Sequence, residues 1–210
     1  MITTLLCTRG MIFGETIKSL HNNLCQIKHI PVKPIIGLPI PDAQNAAVRQ
    51  ALETKADLFL FVEEDMVIPD GTVLKMVGMD EDIVAVNYPV DGGWGTVQRD
   101  GEEIIFCGLG CTLFKRHVFE KMKDPWFDTS HSLRITSQKP FKYEVTDLPY
   151  KYGGLDNYFC HKARELGLEI HQLMDVEAKH LRLIKNDDRK LNKGTQEIKP
   201  LPPISKHINY

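Results

Sequence analysis

Three consecutive acidic residues, Glu63, Glu64 and Asp65, directly follow an uninterrupted apolar run over residues 58–62. Such a run predicts a strand that is buried on both faces, with the acids at its carboxyl end. In an open α/β sheet the ligand crevice lies at that end. Neighbouring carboxylates repel one another unless a cation or a proton compensates them. The triplet therefore predicts a divalent metal that holds a phosphate-bearing substrate, and a solvated acidic turn is the alternative.

The composition is that of an ordinary globular protein, and it excludes several functional classes. A formal net charge of −2 over 210 residues makes the whole chain a poor electrostatic match for nucleic acid or an anionic membrane. Five cysteines without a C-x-x-C pair indicate reduced thiols. No leader or apolar stretch of membrane-span length stands out, so the cytoplasm is the expected compartment. We expect one domain over residues 1–185 and an extended, basic, proline-containing tail over 186–210.

Strands and helices are expected to alternate through the first ninety residues. This alternation predicts a mostly parallel, doubly wound α/β sheet flanked by helices, with a smaller antiparallel part. Asp42 is the expected N-cap of the second helix, because its side chain can accept a hydrogen bond from the first turn. The expected strands cover residues 2–7, 34–38, 57–62 and 82–88, and the expected helices cover 13–24 and 42–54, with a third that opens at Asp70-Gly71.

Beyond residue 100 the pattern is less regular. Residues 103–107 and 110–114 are expected to pair as antiparallel strands. Residues 128–152 show no clear period, which predicts a long functional loop or a partly ordered flap. A helix over 155–166 has an apolar stripe and ends at Gly167, and a short last strand follows.

Several short motifs follow one another in an order that is informative as a set. They are Thr8-Arg9-Gly10 after a strand, Ala43-Gln44-Asn45 on a helix, the acidic triplet, Gly110-Cys111-Thr112-Leu113-Phe114-Lys115-Arg116, Gly154-Leu155-Asp156 before a helix, and His180. Over roughly residues 1–183 this order resembles that of the GT-A glycosyltransferases, in particular small family-2-like enzymes of bacteria and phages. The resemblance implies a GT-A fold and a hexosyltransferase-like enzyme that moves a sugar from a nucleotide-sugar, with UDP-sugars as the expected donors, to a hydroxyl acceptor.

The same resemblance implies a metal site. In the family an Asp-x-Asp motif holds a divalent metal and the donor diphosphate. Here Asp65 matches the last acid and Glu63 replaces the first. His180 stands where family members place a further metal ligand, although a surface or core histidine is the alternative. Carboxylate oxygens together with a neutral imidazole suit Mn²⁺ or Mg²⁺.

Further residues are implied to bind the donor. Thr8 and Arg9 match a loop beside the nucleotide. Gln44 and Asn45 match an Arg-Asn pair that reaches toward the donor, and Arg49 one turn later could supply the charge of the missing arginine. A surface position is the alternative for either arginine.

The glycine-rich segment before residue 111 resembles a strand start beneath the donor sugar. Gly110 there would let a ligand approach the backbone, or would mark an ordinary turn or bulge. Glu63 and Glu64 are assigned to the same donor site. Trp94 and Trp126 could stack on sugar rings or could lie in the core.

Asp156 is implied to be the general base. It matches the second acid of a pair that precedes the acceptor-side helix in inverting members, and Leu155 occupies the place of the first acid. One carboxylate is enough to take a proton from an acceptor hydroxyl. The alternative is that Asp156 only caps the helix.

Two other functions remain open. A sugar-1-phosphate nucleotidyltransferase would share Thr8-Arg9, but the glycines that cradle a triphosphate are missing before them. A non-catalytic nucleotide-sugar-binding module would tolerate the departures at Glu63, Gln44 and Leu155. The acceptor is also open: a glycan, a protein, or a hydroxylated nucleic-acid base in the host cytoplasm for a phage-encoded enzyme. The basic tail favours an anionic acceptor, unless it is simply solvated.

Overall fold

A mixed six-stranded sheet lies at the centre of the protein. The computed structural model describes residues 1–31, 33–90, 95–138, 141–147, 154–183 and 195–198. Its helices are α1 (Gly14–Leu24), α2 (Asp42–Leu52), α3 (Thr72–Met79), α4 (Arg116–Lys121) and α5 (Leu155–Glu165). Its strands are β1 (Ile2–Thr8), β2 (Ile35–Ile36), β3 (Leu58–Glu63), β4 (Met66–Val67), β5 (Ile83–Asn87), β6 (Gln98–Asp100), β7 (Glu103–Phe106), β8 (Cys111–Lys115), β9 (Ser132–Gln138), β10 (Phe141–Thr146), β11 (Ile170–Glu177), β12 (Lys179–Leu183) and β13 (Thr195–Ile198).

The strand order of the central sheet is β11-β5-β8-β3-β1-β2. Strand β8 is antiparallel to both of its neighbours, and every other neighbouring pair is parallel. The predicted mainly parallel α/β fold is therefore confirmed. Because β1, β3 and β5 run in the same direction, their carboxyl ends share one edge of the sheet with the amino end of β8. The ligand crevice of such sheets lies at this edge.

The apolar run before the acidic triplet forms β3, and it is buried on both faces as predicted. Side chains alternate along a strand. Accordingly, Phe59 and Phe61 belong to the apolar cluster on one face of the sheet, and Leu60 and Val62 belong to the cluster on the other. This double burial fixes the position at which the acids leave the core.

Two local expectations are wrong. Strand β7 pairs with β6, whereas β8 joins the central sheet between β3 and β5. The reason is that β8 is apolar on both faces, so it is buried only with a neighbour strand on each side. At α2, Asn45 N–H donates to the Pro41 carbonyl at 3.0 Å, which makes Pro41 the cap residue, without a side-chain bond. Asp42 lies inside the helix.

The region expected to be a loop contains an antiparallel hairpin of β9 and β10. It packs on α5, where Arg164 Nη1 donates to the Tyr143 hydroxyl at 3.1 Å. Ile135 and Val145 in this hairpin are apolar and yet exposed, so the apolar residues do not mark one buried face with a clear two-residue period. Residues 139–140 and 148–152 of the expected flap lie outside the described residues.

The tail is described only at residues 195–198, where β13 runs parallel to β12. The rest of the expected tail, and Trp94, lie outside the described residues. The domain division at residue 185 stays a prediction. Within the described ranges, no helix is both long and apolar enough to span a bilayer.

Candidate metal and donor site

Glu63, Asp65 and His180 converge at the carboxyl edge of the sheet. Glu63 ends β3, and Asp65 lies in the turn to β4. Strand β12 pairs with β4 so that His180 lies opposite Met66. One potential ligand atom from each of the three side chains lies within 4.8 Å of the other two. The structure thus brings together the three residues that the sequence indicated as metal ligands.

The electrostatics of this cluster are unfavourable without a cation. Burial raises the pKa of Glu63 from 4.5 to about 8, and the charges of Asp156 and Asp65 act in the same direction, against that of His180. The hydrogen bond between His180 Nε2 and Asp65 Oδ2, 3.2 Å long, raises the pKa of His180. His180 Nδ1 is buried and has no hydrogen-bond partner among the described residues. Two carboxylates and one imidazole are a donor set that fits Mn²⁺ or Mg²⁺.

Glu64 points away from this cluster and has its own partners. Its Oε2 accepts from Thr8 Oγ1 at 2.5 Å and from the Arg9 backbone N–H at 2.8 Å, and its Oε1 accepts from Arg9 Nε at 2.6 Å. The Arg9 side chain is 81% exposed, and that of Glu64 is 10% exposed. Glu64 therefore ties the end of β1 to the end of β3, and its charge is compensated by Arg9.

Asp156 lies in the first turn of α5. Gly154 is the cap residue of this helix and makes no side-chain cap bond, so Asp156 is not the cap. Its Oδ2 accepts the Leu109 backbone N–H at 3.2 Å. Burial raises the pKa of Asp156 from 3.8 to about 6, against the opposite effect of that hydrogen bond. A carboxyl group with a pKa near neutral pH is suited to act as a general base.

A cleft of about 880 Å³ opens between these elements. Residues that the sequence indicated and that line it are Thr8, Arg9, Gln44, Glu63, Glu64, Asp65, Asp156 and His180. Asn45 does not line it, because its amide bonds the backbone N–H and carbonyl of Phe127 at 3.0 and 2.9 Å. Arg49 forms a two-bond ion pair with Asp124 instead. The structure therefore does not bring Asn45 and Arg49 to the cleft.

Gln44 presents an unpaired polar group at this cleft. Its side chain is only 2% exposed, and its Oε1 has no hydrogen-bond partner in the described part of the chain. A buried polar atom without a partner is costly. A bound ligand could supply the missing hydrogen bond.

Tyr88 is a cleft residue that the sequence reasoning missed. It directly follows β5, is 3% exposed, and its Oη accepts the Gly110 N–H at 2.9 Å. A Cβ atom added at Gly108 or Gly110 would lie 2.5 or 2.6 Å from that oxygen. The two glycines therefore make room for a phenol, and Gly110 itself does not line the cleft. Burial, reinforced by the charges of Glu63 and Asp156, raises the pKa of Tyr88 well above 10, so the hydroxyl stays neutral.

Trp126 is a core residue. It is 5% exposed, and its indole N–H bonds the Phe119 and Met122 carbonyls at 2.8 and 3.1 Å. An indole held in this way is not available to stack on a ligand, so the core alternative holds for this tryptophan.

No protein-family model matches the chain, and no curated protein matches it. Among solved structures, protein A197 from STIV is 21% identical, with 85% of this chain and 84% of A197 covered at a TM-score of 0.61. Residues 1–349 of S. aureus TarS, solved in complex with UDP-GlcNAc, are 13% identical at a TM-score of 0.51. That match covers 84% of this chain and 57% of the TarS fragment. At these identities the matches establish the architecture alone: the protein has a GT-A-like fold.

Proposed function

We propose that the protein is a metal-dependent, inverting glycosyltransferase that moves a sugar from a UDP-sugar to a hydroxyl acceptor. The observation that carries the proposal is the convergence of Glu63, Asp65 and His180 on one cleft that Asp156 also lines. The cluster and the carboxyl group lie at the edge where a GT-A-like sheet opens to ligands.

The cluster suits a metal-bound diphosphate. When bound, Mn²⁺ or Mg²⁺ would neutralise the charge that develops on the departing diphosphate. Asp65 and His180 already contact each other, and Glu63 is the carboxyl group whose raised pKa a cation would offset. The chain's own contribution is to hold these three side chains on rigid elements, β3, the β3–β4 turn and β12.

Asp156 acts on the acceptor. Its carboxylate takes the proton of the acceptor hydroxyl as that oxygen forms a bond to the anomeric carbon. The bond from this carbon to the diphosphate oxygen breaks, and the electron pair leaves with the diphosphate. Attack from the side opposite the diphosphate inverts the anomeric centre. The Leu109 N–H fixes the carboxylate at the required position.

Thr8, Arg9 and Gln44 form the donor end of the cleft. Glu64 orients Arg9 through two oxygens, so the guanidinium is placed without being buried. Gln44 contributes the unpaired amide oxygen described above. We assign these residues to the nucleotide part of the donor.

The β1 loop argues against nucleotidyl transfer. The backbone N–H groups of Arg9, Gly10 and Met11 are bonded to Glu64 and to the Thr8 hydroxyl. They are therefore not free to cradle a triphosphate, as the loop of a sugar-1-phosphate nucleotidyltransferase would require. Release of pyrophosphate from UTP and a sugar 1-phosphate would contradict this assignment.

A donor panel tests the proposal directly. UDP-glucose, UDP-galactose, UDP-GlcNAc and related nucleotide-sugars are incubated with the protein, with and without Mn²⁺. We expect metal-dependent release of UDP from one donor, accelerated by its acceptor, and loss of release with EDTA. Tight nucleotide-sugar binding without turnover and without metal dependence would instead identify a non-catalytic binding module.

Replacing Glu63 by glutamine is expected to stabilise the metal-free protein at pH 8. The folded-state pKa of Glu63 is raised from 4.5 to about 8, so the unfolded state binds fewer protons between these values. The free energy of unfolding of the wild type should therefore be highest below pH 4.5 and should fall as the pH rises through 8, by on the order of 3 kcal/mol. Glu63→Gln should not show this decrease. Denaturant melts in EDTA at pH 5 and pH 8 measure it.

The exposed substitution Glu120→Gln serves as the control and should leave the pH dependence unchanged. Added Mn²⁺ should raise the melting temperature of the wild type and not that of Glu63→Gln. If the free energy of unfolding depended on pH equally in wild type and Glu63→Gln, Glu63 would not be the carboxyl group with the raised pKa.

Replacing Gln44 by methionine should weaken donor binding while slightly stabilising the protein. The change removes a buried acceptor that has no partner in the described chain, and it keeps the side-chain length. We expect the dissociation constant of the UDP-sugar to rise roughly 10-fold. Calorimetry and thermal melts measure the two effects. Gln50→Met, on the same helix but facing a different cavity, should leave binding unchanged.

A further inference from the structure

We propose that Tyr88 binds the transferred sugar itself, by donating its hydroxyl hydrogen to one of the sugar's hydroxyl oxygens. The inference rests on the proposed function, which it deepens by naming the residue that reads the sugar. Two glycines, Gly108 and Gly110, are needed to admit the phenol, since a side chain at either would collide with the ring.

One backbone segment bonds the Tyr88 phenol and both carboxylate residues, Asp156 and Glu63. Two consecutive residues, Leu109 and Gly110, make three of its hydrogen bonds. Leu109 N–H donates to Asp156, Gly110 N–H donates to the Tyr88 hydroxyl, and the Gly110 carbonyl accepts the Glu63 N–H at 3.1 Å. The phenol is therefore fixed relative to both carboxylates. The Tyr88 ring also meets the His180 ring edge to face, with centroids 5.9 Å apart.

The hydroxyl has one hydrogen bond too few. Its oxygen accepts from Gly110, but among the described residues no acceptor is hydrogen-bonded to its own hydrogen. Tyr88 lines the cleft, so this hydrogen can be satisfied by a ligand there. A buried donor that pairs only when substrate enters contributes to affinity and specificity.

The position of the hydroxyl indicates which part of the donor it meets. A Cβ atom placed on Gly110 would lie 2.6 Å from Tyr88 Oη and 3.0 Å from Glu63 Oε2. The hydroxyl and the Glu63 carboxylate are therefore close neighbours. Glu63 belongs to the diphosphate side of the site, and Asp156 belongs to the acceptor side. The sugar, whose anomeric carbon must lie between diphosphate and acceptor, is the group that passes between them.

Tyr88→Phe tests the inference. The binding of two probes is compared in the presence of Mn²⁺: UDP, and the UDP-hexose that binds best to the wild type. We expect the dissociation constant of the UDP-hexose to rise roughly 10-fold and that of UDP to stay within about twofold. Deoxy analogues of the sugar should include one that binds wild type and variant equally. Tyr143→Phe, whose hydroxyl bonds Arg164 away from the cleft, is the matched control.

The outcomes are distinct. An equal loss of UDP and UDP-hexose affinity would assign Tyr88 a structural or phosphate-binding role and overturn the inference, as would unchanged binding of both. Failure of every deoxy analogue to close the gap would also overturn it. Wild-type protein that binds no nucleotide-sugar would overturn the proposed function itself. Retained UDP binding by Tyr88→Phe reports that the variant is folded.

Discussion

Replacing Asp156 by asparagine is expected to lower the rate of sugar transfer at least 100-fold while UDP-sugar binding stays within about threefold. Asparagine keeps the size of the side chain and can still accept the Leu109 N–H bond, but it cannot take a proton. General bases typically contribute a factor of about 10² to 10⁴ to the rate. Steady-state kinetics and calorimetric titration of the donor measure the two quantities.

The pH profile gives a second readout for the same residue. Because the base must be deprotonated, kcat/KM of the wild type should rise as the pH increases through the pKa of Asp156, which is about 6. A nearby bound cation would move this limb to lower pH and not to higher pH. The exposed substitution Asp100→Asn should change neither rate nor profile. A rise of kcat/KM that occurs only above pH 7, or full activity of Asp156→Asn, would contradict the assignment.

Those parts of the site that lie on strand ends could be predicted from the sequence. The apolar run of β3 is buried on both faces, so the register of the following acids is fixed by the core. His180 could be named only through the resemblance, since its position depends on the pairing of β12 with β4. That pairing joins residues more than 100 positions apart and leaves no local pattern.

Which side chains of α2 reach the cleft depends on tertiary contacts, and the local sequence pattern does not indicate these. Asn45 and Arg49 lie on α2 like Gln44, but their side chains bond Phe127 and Asp124. The neighbouring Gln44, one position away, turns toward the cleft. Burial pattern along a helix predicts which face is inside, and it does not distinguish a core contact from a cleft contact.

The position of Tyr88 at a strand end is visible in the sequence. It is the last residue of the buried strand predicted over residues 82–88, just as the acidic triplet lies at the end of β3. From the sequence, glycine at position 110 indicates either close approach of a ligand to the backbone or an ordinary turn or bulge. In the structure Gly108 and Gly110 are room for the phenol, because β8 lies between β3 and β5 and brings its amino end next to the end of β5.

Replacing Asp65 by asparagine is expected to weaken Mn²⁺ binding and to lower transfer by roughly 100-fold. It removes one of two carboxylates from the candidate metal site and leaves its hydrogen-bonding partner His180 in place. His180→Gln should have a similar effect on Mn²⁺ binding. Titration followed by electron paramagnetic resonance of free Mn²⁺ measures the affinity without a donor, so the result does not depend on knowing the sugar.

Glu64→Gln is the matched comparison for Asp65→Asn, because the two acids are adjacent in sequence but have different partners. Glu64 is engaged by Thr8 and Arg9, so its replacement should leave Mn²⁺ affinity within about twofold and should weaken UDP binding through a less ordered Arg9. If Glu64→Gln instead lost Mn²⁺ as strongly as Asp65→Asn, the cation would be bound by the triplet as a whole. The separation of the two effects would show that Asp65 binds the cation and that Glu64 orders the loop that binds the nucleotide.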